Sequence, residues 1–461
     1  MTSFEAREYI HSLSNFELCP PRQRRKDIPS FDLTRTRQLL QWIGNPQEHL
    51  KVIHVAGSKG KGSTCAFTAH VLRRAGYTVG LYTSPHMDDY RERIRVLGGE
   101  PTASVGVQTQ GLFPDQISEE EFCAALGEIK PCIDEMRARP QTKDVSFFEV
   151  FTALALYHFH KKRTDWVVLE TGMGGRLDAT NVTSSLVCAI TPISLEHTDY
   201  LGDTVGQIAV EKSGIIKESC RRVVAAPQET QAREVINERC RALSIRPCWV
   251  GDNIRVEVTS RNQGKQGVCI ETSRSRYPDM MLPLAGDHQA VNAAVAVGII
   301  EGLRELGFAV SKEAVYGGFN ETFWPGRLEV VGGRPLTVLD GAHNQASAWS
   351  LVESLRKIFS AKAVTLILGV GGDKDREGIC REFNRIARTV IATRADHPRA
   401  YRLRDDELLS LFAGKRFCRS ENIRQALELA RRETNPEDLI LVSGSLFLVS
   451  EARRLILSDT G

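Results

Sequence analysis

Short apolar runs and helical spacings alternate along most of the chain. Runs of apolar residues predict buried strands, and apolar residues repeated every three or four positions predict helices. In the first part of the chain we expect strands at 52–56, 78–82, 166–169, 186–193 and 222–226, and helices at 63–75 and 205–216. This alternation predicts a mostly parallel sheet with helices on both faces.

The segments around this sheet have other patterns. Residues 10–16 and 39–43 carry apolar side chains at helical spacing, so the first fifty residues predict helices. Residues 101–116 lack periodicity and predict a surface loop. Residues 253–284 alternate polar and β-branched side chains, which predicts an antiparallel insert, and a long helix is expected at 290–306.

A second series of strands begins after residue 326. The sequence TFWPG at 322–326 is typical of a linker. Beyond it we expect strands at 336–339, 364–368, 389–392 and 439–442 and a helix at 423–432. A chain of 461 residues also exceeds the size of one compact core.

We therefore predict an α/β fold with two domains. Residues 1–320 would form an N-terminal domain whose mostly parallel sheet has helices on both faces. Residues 321–326 would be the linker, and residues 327–461 a smaller Rossmann-like α/β domain.

Composition and charge narrow the class of protein. Sixty basic and fifty-seven acidic side chains leave a net charge of +3, and both signs are interspersed, which argues against a nucleic-acid-binding surface. The N-terminal residues have no signal-peptide core, and no apolar run is long enough to span a membrane. Eleven cysteines without a CxxC pair predict free thiols in a reducing compartment. We expect a cytoplasmic, monomeric enzyme.

The segment HVAGSKGKGST at 54–64 has the composition of a phosphate-binding loop. It lies between a predicted strand and a predicted helix, and its glycines let backbone N–H groups turn toward an anion. Lys61 would reach the outer phosphates, and the hydroxyl of Ser63 or Thr64 would face magnesium. The spacing departs from the common Walker pattern because Gly62 separates Lys61 from Ser63. The alternative is a glycine-rich turn with a solvated lysine.

Two further polar groups follow predicted strands. Glu170 ends the strand at 166–169 beside several glycines, and His197 follows the strand at 186–193. Ligands of open α/β sheets bind at the carboxyl ends of the strands, so both side chains are expected in that crevice. A carboxylate suits Mg²⁺, whereas a histidine is a less usual ligand and is more often structural.

Several motifs together resemble the Mur ligase superfamily, and in particular its folylpolyglutamate synthase/dihydrofolate synthase branch. They are GSKGKGS after HVA, GLYTSPH at 80–86 with RERI at 91–94, LETGMGGRLDATN at 169–181, GDHQAVNAA at 286–294, PGRLE at 325–329, LDGAHN at 339–344, GVGGDKD at 369–375, HPRA at 397–400 and SGSL at 443–446. The resemblance covers nearly the whole chain in the family's order. It implies that the N-terminal domain is P-loop ATPase-like.

The resemblance implies roles for individual residues. The implied ATP-binding residues are Gly57, Ser58, Lys59, Gly60, Lys61, Gly62, Ser63, Thr64, Asn292, Arg327 and Asp340. The implied ligands of two magnesium ions are Ser63, Ser84, Glu170, His197 and Lys212. The implied substrate-binding residues are His86, Arg91, Asp178, His343 and Ser445. Lys61, Lys212 and His343 would be catalytic, and Lys212 matches the lysine that is carbamylated in the superfamily. Its alternative is a lysine on a helix surface.

The function that the resemblance implies is an ATP-dependent amide ligase. It would add L-glutamate to dihydropteroate or to folate polyglutamates through an acyl phosphate, with no organic redox cofactor. Only fifty-six residues precede Gly57, too few for the nucleotide-sugar domain of the muramyl-peptide ligases, and RLDATN resembles the bacterial bifunctional enzymes. Two alternatives remain: a ligase of the same superfamily for another carboxylate, and a non-catalytic nucleotide-binding regulator.

Overall fold

A computed structural model describes residues 1–15, 32–98, 112–359, 362–372 and 374–459. Phe16 and positions 101–111 of the expected loop lie outside the described residues. Positions 112–116 carry turns and one isolated bridge between Gln116 and Arg95. Among the described residues, no helix combines the length and the apolar composition that a bilayer crossing requires.

A seven-stranded sheet forms the centre of the N-terminal lobe. Its strands run in the order β3-β2-β4-β1-β5-β6-β7 across the sheet. They are β1 (Val52–Ala56), β2 (Val79–Tyr82), β3 (Ile94–Leu97), β4 (Trp166–Glu170), β5 (Ser185–Ile190), β6 (Arg222–Ala225) and β7 (Cys248–Trp249). All neighbours are parallel except β2 and β3. The expected parallel sheet is confirmed, with one antiparallel edge strand that was not expected.

Helices cover both faces of this sheet. They are α1 (Ser3–His11), α2 (Thr34–Trp42), α3 (Lys61–Arg74), α4 (Glu119–Ala138), α5 (Phe147–Lys161), α6 (Thr198–Leu201), α7 (Val205–Ser213) and α8 (Thr230–Ala242). Several begin at capping boxes, such as Ser118 with Glu121 and Ser146 with Glu149, which satisfy N–H groups of the first turn. Successive residues of β1 alternate between the two cores: Ile53 packs on one face and Val52 on the other.

An antiparallel insert and two helices complete the lobe. The insert consists of β8 (Ile254–Asn262), β9 (Lys265–Thr272) and β10 (Arg276–Leu282), as the sequence predicts. Helices α9 (Asp287–Glu305) and α10 (Lys312–Asn320) follow and pack with α3 on one side of the large sheet. Residues 322–325 carry no helix or strand, as expected for a linker.

The C-terminal lobe has its own six-stranded sheet in the order β11-β12-β18-β13-β15-β17. Its elements are β11 (Glu329–Val331), β12 (Leu336–Leu339), α11 (Gln345–Ile358), β13 (Val364–Leu368), β14 (Val370–Gly371), α12 (Arg376–Asn384), β15 (Ala387–Ala392), β16 (Ala400–Tyr401), α13 (Asp405–Leu411), β17 (Arg416–Arg419), α14 (Ile423–Glu433), β18 (Leu439–Ser443) and α15 (Leu446–Ser458). Only β11 pairs antiparallel in this sheet. Two apolar clusters, one on each face, form its core.

The two lobes contact each other on both sides of a cleft. On one side, His288 at the start of α9 faces Ser350 of α11, with Nδ1 and Oγ 3.2 Å apart, and Asp287 forms an ion pair with Lys357. On the other side, Arg454 donates to Asp88 at 2.7 Å. The mixed α/β architecture is thus confirmed, while the residue boundaries 320 and 327 remain a prediction.

Candidate active site

The order of the strands brings the polar loops of the N-terminal lobe to one edge of the sheet. Strand β1 lies between β4 and β5, and β2 lies on the far side of β4. Val55 pairs with Glu170, and Tyr82 pairs with Leu169. Because these strands are parallel, the loops after their carboxyl ends meet in the cleft between the lobes.

Residues 57–60 form a tight loop that is closely packed from behind. Gly57 has a φ of +149°, and a Cβ there would lie 1.9 Å from Oγ1 of Thr191. The N–H groups of Ser58 and Lys59 donate to the carbonyl of Pro192, at 2.9 and 3.2 Å. The sequence therefore fixes this loop against the segment that follows β5.

Lys61 and Thr64 complete the loop at the start of α3. The ammonium of Lys61 donates to the carbonyl of Gly57 at 3.0 Å, so its side chain folds back over the loop. The hydroxyl of Thr64 is buried and has no hydrogen-bond partner among the described residues. Lys61 thus lies at the N-terminus of α3, where phosphate oxygens would reach it.

The structure explains why a glycine occupies position 62, the position that interrupts the Walker spacing. A Cβ at this position would lie 2.9 Å from Cζ2 of Trp324 and 3.4 Å from Oε2 of Glu170. A side chain at position 62 would therefore push the linker and the carboxylate away from the loop. The extra glycine allows both to approach.

Glu170 and Ser84 lie side by side at the ends of β4 and β2. The backbone N–H of Ser84 donates to Oε2 of Glu170 at 3.1 Å. Burial raises the pKa of the Glu170 carboxyl, and the charge of Lys61 opposes this more than any other neighbour. A buried carboxylate without a direct ion pair partner in the described contacts is a group that a bound cation would stabilise.

Lys212 is buried behind the loop, and it does not line the cleft. Its ammonium donates to the carbonyl of Gly57 at 2.9 Å and to Oε1 of Glu196 at 2.7 Å. The other oxygen of Glu196 lies 3.8 Å from the ammonium of Lys59. The surrounding lysines hold the pKa of the Glu196 carboxyl well below its usual range, although burial opposes them.

The C-terminal lobe contributes an arginine and a histidine whose loops share one anchor. Asp340, at the end of β12, accepts the N–H of Leu328 at 2.8 Å and that of Ala342 at 2.9 Å. Its buried carboxylate thereby holds the turns that carry Arg327 and His343. The pKa of Asp340 is raised by burial and lowered by Arg327.

His343 has a defined tautomer. Its Nδ1 lies 2.9 Å from the carbonyl of Gly341, so Nδ1 carries the proton and Nε2 is unprotonated. Burial, together with Lys59 and Lys374, lowers the pKa of His343 to about 3. The ring is neutral at physiological pH.

Most of the expected site residues line one cavity of about 1170 Å³ between the lobes. Those that line it are Ser58, Lys59, Gly60, Lys61, Gly62, Ser63, Ser84, His86, Glu170, Asp178, His197, Asn292, Arg327, Asp340, His343 and Ser445. His197 is exposed at its rim. Gly57, Thr64, Arg91 and Lys212 are not part of the lining.

Arg91, an expected substrate-binding residue, does not line this cavity. Both oxygens of Asp89 accept hydrogen bonds from the Arg91 guanidinium at 2.7 to 3.1 Å. Arg93 lines the cavity instead, and its Nε donates to Nδ1 of His86 at 3.0 Å. The two arginines lie on one short 3-10 turn, Tyr90–Arg93, and its geometry decides which one faces the cleft.

The cavity has further lining that the motifs do not indicate. Its wall near Asp178 includes Phe147 and Phe148 of α5, and Arg35 from the start of α2. Trp324 of the linker also lines it and stacks on Phe113, with ring centroids 5.7 Å apart. The capping box that starts α5 was the available signal for the two phenylalanines, because it places them on the first helical turn.

The residues present fit a magnesium ion at the inner end of the cavity. No group of three His, Cys, Asp or Glu side chains in the described part of the chain is arranged as a metal site. Magnesium, however, is held by one or two carboxylates, and hydroxyls, phosphate oxygens and water supply its other ligands. Glu170, Ser63 and Ser84 offer such a partial set beside the loop.

Comparison with known proteins agrees with this geometry. Residues 129–300 match the Mur ligase middle domain, and residues 326–446 match the Mur ligase glutamate ligase domain. The dihydrofolate synthase/folylpolyglutamate synthase of Bacillus subtilis is 31% identical, over 98% of both chains. The chain belongs to the folylpolyglutamate synthase/dihydrofolate synthase family of the Mur ligase superfamily. The resemblance of its motifs is confirmed.

Two other similar proteins define the extent of the match. The probable bifunctional folylpolyglutamate synthase/dihydropteroate synthase of Haloferax volcanii is 35% identical over 98% of this chain, which spans only 50% of that protein. The solved structure of Escherichia coli FolC in complex with DHPP and ADP superposes with a TM-score of 0.82 at 26% identity, covering 100% of this chain and 99% of that one. The two-lobed fold is therefore that of a solved family member.

Proposed function

We propose that this protein is an ATP-dependent ligase that joins L-glutamate to dihydropteroate and to folate polyglutamates, with release of ADP and phosphate. Its family membership supports the reaction class, and the Bacillus subtilis relative is named for both activities. The similar Escherichia coli protein binds DHPP together with ADP.

One observation carries the proposal. The phosphate loop with Glu170 on one lobe, and Arg327 with His343 on the other, line the same cavity. A nucleotide on the loop would have its terminal phosphate between the two sets of groups. A binding regulator would not need a buried carboxylate, two lysines and an arginine around that phosphate, which favours catalysis over regulation.

The chemistry follows from these charges. An oxygen of the acceptor's carboxylate attacks the γ-phosphorus of ATP, the bond to ADP breaks, and an acyl phosphate forms. Lys61 and Arg327 neutralise charge on the transferring group, where positioned cations act without reorganising. The amine of glutamate then attacks the acyl carbon, and inorganic phosphate leaves as the amide forms.

His343 is proposed to act in this second step. Its unprotonated Nε2 would accept the proton that the attacking amine loses. The low pKa of the ring results from burial and nearby lysines, and phosphate charge in the cleft would offset the lysines. We place Ser445, on the same rim, beside the incoming glutamate.

We propose two magnesium ions as cofactors, held by Ser63 and Ser84 at one position and by Glu170, His197 and Lys212 toward the other. Magnesium, when bound, neutralises phosphate charge and orients the acceptor carboxylate. The backbone N–H of Ser84 donates to Oε2 of Glu170, so the two proposed positions would be neighbours. Asn292 would lie at the adenine and Asp340 at the ribose.

Carbamylation of Lys212 remains a proposal as well. Reaction of a neutral lysine amine with CO₂ forms a carbamate and releases a proton, and burial lowers the pKa of Lys212 in the direction that this reaction needs. The ion pair with Glu196 opposes it. A mass increase of one CO₂ on Lys212 in native protein, with activity lost in Lys212→Ala and partly restored by small carboxylates, would establish the modification.

One assay tests the proposed function. Purified protein is incubated with ATP, Mg²⁺ and labelled glutamate, with dihydropteroate or tetrahydrofolate as acceptor, and ADP and labelled product are measured. We expect ADP release with either acceptor and none without an acceptor. Release with a different carboxylate only would indicate another ligase of the superfamily, and no release with any acid would indicate a regulator.

The remaining expectations stand as proposals about the whole protein. The scattered cysteines favour a reducing compartment, and we propose a monomeric, cytoplasmic enzyme with small-molecule substrates. We place its domain boundaries at residues 1–320 and 327–461, with the linker at 321–326 anchored by Trp324 on the phosphate loop.

A further inference from the structure

His54 is a fully buried histidine three residues before the phosphate loop, and no role has been assigned to it so far. It lies in the middle of β1, the central strand of the sheet. Its Nε2 lies 2.8 Å from Oγ1 of Thr180 and 3.2 Å from Oγ1 of Thr171. Its Nδ1 has no hydrogen-bond partner among the described residues.

The partner Thr180 connects His54 to Asp178. The hydroxyl of Thr180 donates to Oδ1 of Asp178 at 2.5 Å, and the backbone N–H of Thr180 donates to the same oxygen at 3.0 Å. A threonine hydroxyl has one hydrogen, and here the carboxylate receives it. The short contact to the ring is therefore a bond in which His54 donates Nε2–H and Thr180 accepts.

The turn that carries Asp178 is fixed at its other end too. Asp178 also accepts the N–H of Met173 at 2.8 Å through Oδ2. The ammonium of Lys217 donates to the carbonyls of Asn181 and Thr183, and the amide of Asn181 donates to the carbonyl of Gly214 at 3.2 Å. The backbone is thus held without help from His54, so the ring acts on the side chains of Thr180 and Asp178.

Packing alone does not explain a histidine at this position. Burial lowers the pKa of His54 to about 3, so the ring is neutral, and its Nδ1 lone pair is left unsatisfied in the core. An apolar residue of similar volume would avoid the cost of burying a polar atom without a partner. The gain that offsets it is the hydrogen bond to Thr180.

We propose that His54 is a positioning residue that, through Thr180, holds Asp178 as an oriented carboxylate at the acceptor end of the cleft. Asp178 is then ready to accept N–H donors of a nitrogen-rich ring on the acceptor. His54 does not line the cavity, so it would contact neither ATP nor the acceptor. The proposal rests on the proposed function and on the expectation, implied by the motif RLDATN, that Asp178 binds the acceptor.

Matched variants test the hydrogen bonds that connect His54, Thr180 and Asp178. His54→Leu removes the donor, whereas His54→Gln places an amide N–H at a similar distance from the backbone. Thr180→Val removes the hydroxyl at constant shape, whereas Thr180→Ser keeps it. We measure KM for dihydropteroate, KM for ATP and kcat in the assay above, with thermal unfolding of each variant.

We expect His54→Leu and Thr180→Val to raise KM for dihydropteroate about tenfold, a factor that corresponds to ~1.4 kcal/mol. KM for ATP should stay within about twofold, and His54→Gln and Thr180→Ser should restore most of the acceptor binding. The double variant His54→Leu/Thr180→Val should have the same KM for dihydropteroate as the single variants, because both substitutions break the same series of hydrogen bonds. In ¹⁵N-labelled protein the His54 proton should be on Nε2.

Three results would overturn the proposal. They are a proton on Nδ1 of His54, equal effects on KM for ATP and for dihydropteroate, and lower thermal stability with an unchanged acceptor KM. Asp178→Ala separates failure of the positioning role of His54 from failure of the proposed function. If Asp178→Ala raises the acceptor KM and His54→Leu does not, the positioning role fails alone; if wild-type protein releases no ADP with any acceptor, the proposed function fails.

Discussion

The Cβ position of Gly60 lies 2.1 Å from Oδ1 of Asn292, so the phosphate loop and helix α9 fit together only because residue 60 has no side chain. Asn292 is itself held by a hydrogen bond of 3.0 Å from its amide to Gln289. The loop is thus shaped by a residue more than two hundred positions away along the chain.

Gly60→Ala should disrupt the loop more than a comparable substitution elsewhere. Gly60 has a φ of +85°, and Gly76 has a φ of +92° with no atom within 4 Å of its Cβ position. Both substitutions carry the left-handed backbone cost of about 1–2 kcal/mol. Gly60→Ala should lose about 1–3 kcal/mol more through overpacking and raise KM for ATP, measured by urea unfolding and ADP release. Equal destabilisation by the two variants would contradict the packing argument.

Glu196→Gln should lower stability at neutral pH and should do so less in acid. It leaves the buried Lys212 ammonium without its partner, a change that costs about 3 kcal/mol in comparable pairs. Because the pKa of Glu196 is held below its unfolded value of about 4.3, its contribution is complete above that pH and is lost as the pH falls further. Urea unfolding of both proteins at pH 7 and pH 3.5 measures the difference.

The surface pair of Arg176 and Glu211 is the control for this experiment. Its side chains are 53% and 21% exposed, and Glu211→Gln should cost less than about 1 kcal/mol. If Glu196→Gln costs no more than Glu211→Gln, or if its effect does not shrink in acid, the Lys212–Glu196 pair does not stabilise the fold.

Glu170→Gln should abolish activity without destabilising the protein. Burial raises the pKa of Glu170, which means that the fold disfavours its charge, and a neutral side chain removes that penalty. We expect an unchanged or higher melting temperature without ligands, and ADP release reduced by about 10² or more because the proposed magnesium ligand is lost.

Glu92→Gln is the matched comparison among buried carboxylates. Glu92 accepts the backbone N–H groups of Met87, Asp88 and Asp89 at 2.7 to 2.9 Å, which a glutamine cannot replace. The Glu92→Gln protein should lose about 1–3 kcal/mol of its free energy of unfolding. A Glu170→Gln protein that melts as low as Glu92→Gln would show that Glu170 has a structural role.

Arg327→Lys should lower kcat by about 10², since lysine keeps the charge but loses the planar pair of donors toward phosphate oxygens. Arg453→Lys on the same lobe is the control, because Arg453 pairs with Glu329 at 2.8 Å and does not line the cavity. Steady-state ADP release at saturating ATP gives kcat for both variants. An equal loss in both would point to a general effect of altered packing.

The inner strands of both sheets could be predicted because buried parallel strands are continuous apolar runs, as in 364–368, which the structure gives as Val364–Leu368. The edge strands β3, β7, β11 and β17 were not expected. Strand β3 was missed for the opposite reason. Its Arg95 is buried against Asp115, with Nε and Oδ1 2.7 Å apart, and sequence gives no sign of this partner. Helices α4 and α5 are also absent from the expected elements.

The site shows the same division between local and long-range information. Motifs placed Lys61 in a loop after a strand, Glu170 at the end of another strand and Arg327 after the linker, and the fold brings all three to one cleft. They could not show that the Lys212 ammonium lies behind the loop, because its contact with Glu196 depends on how α7 packs. The choice between Arg91 and Arg93 likewise depends on the geometry of one turn.

The register of β1 against β4 has a consequence for engineering this chain. Since side chains alternate along a strand, one residue inserted into β4 before Glu170 would turn Glu170 into a helical layer and leave an apolar side chain in the cleft. The turns at Gly307 and Gly414 face open space, with no atom within 4 Å of their Cβ positions. Tags or inserted domains belong at such turns.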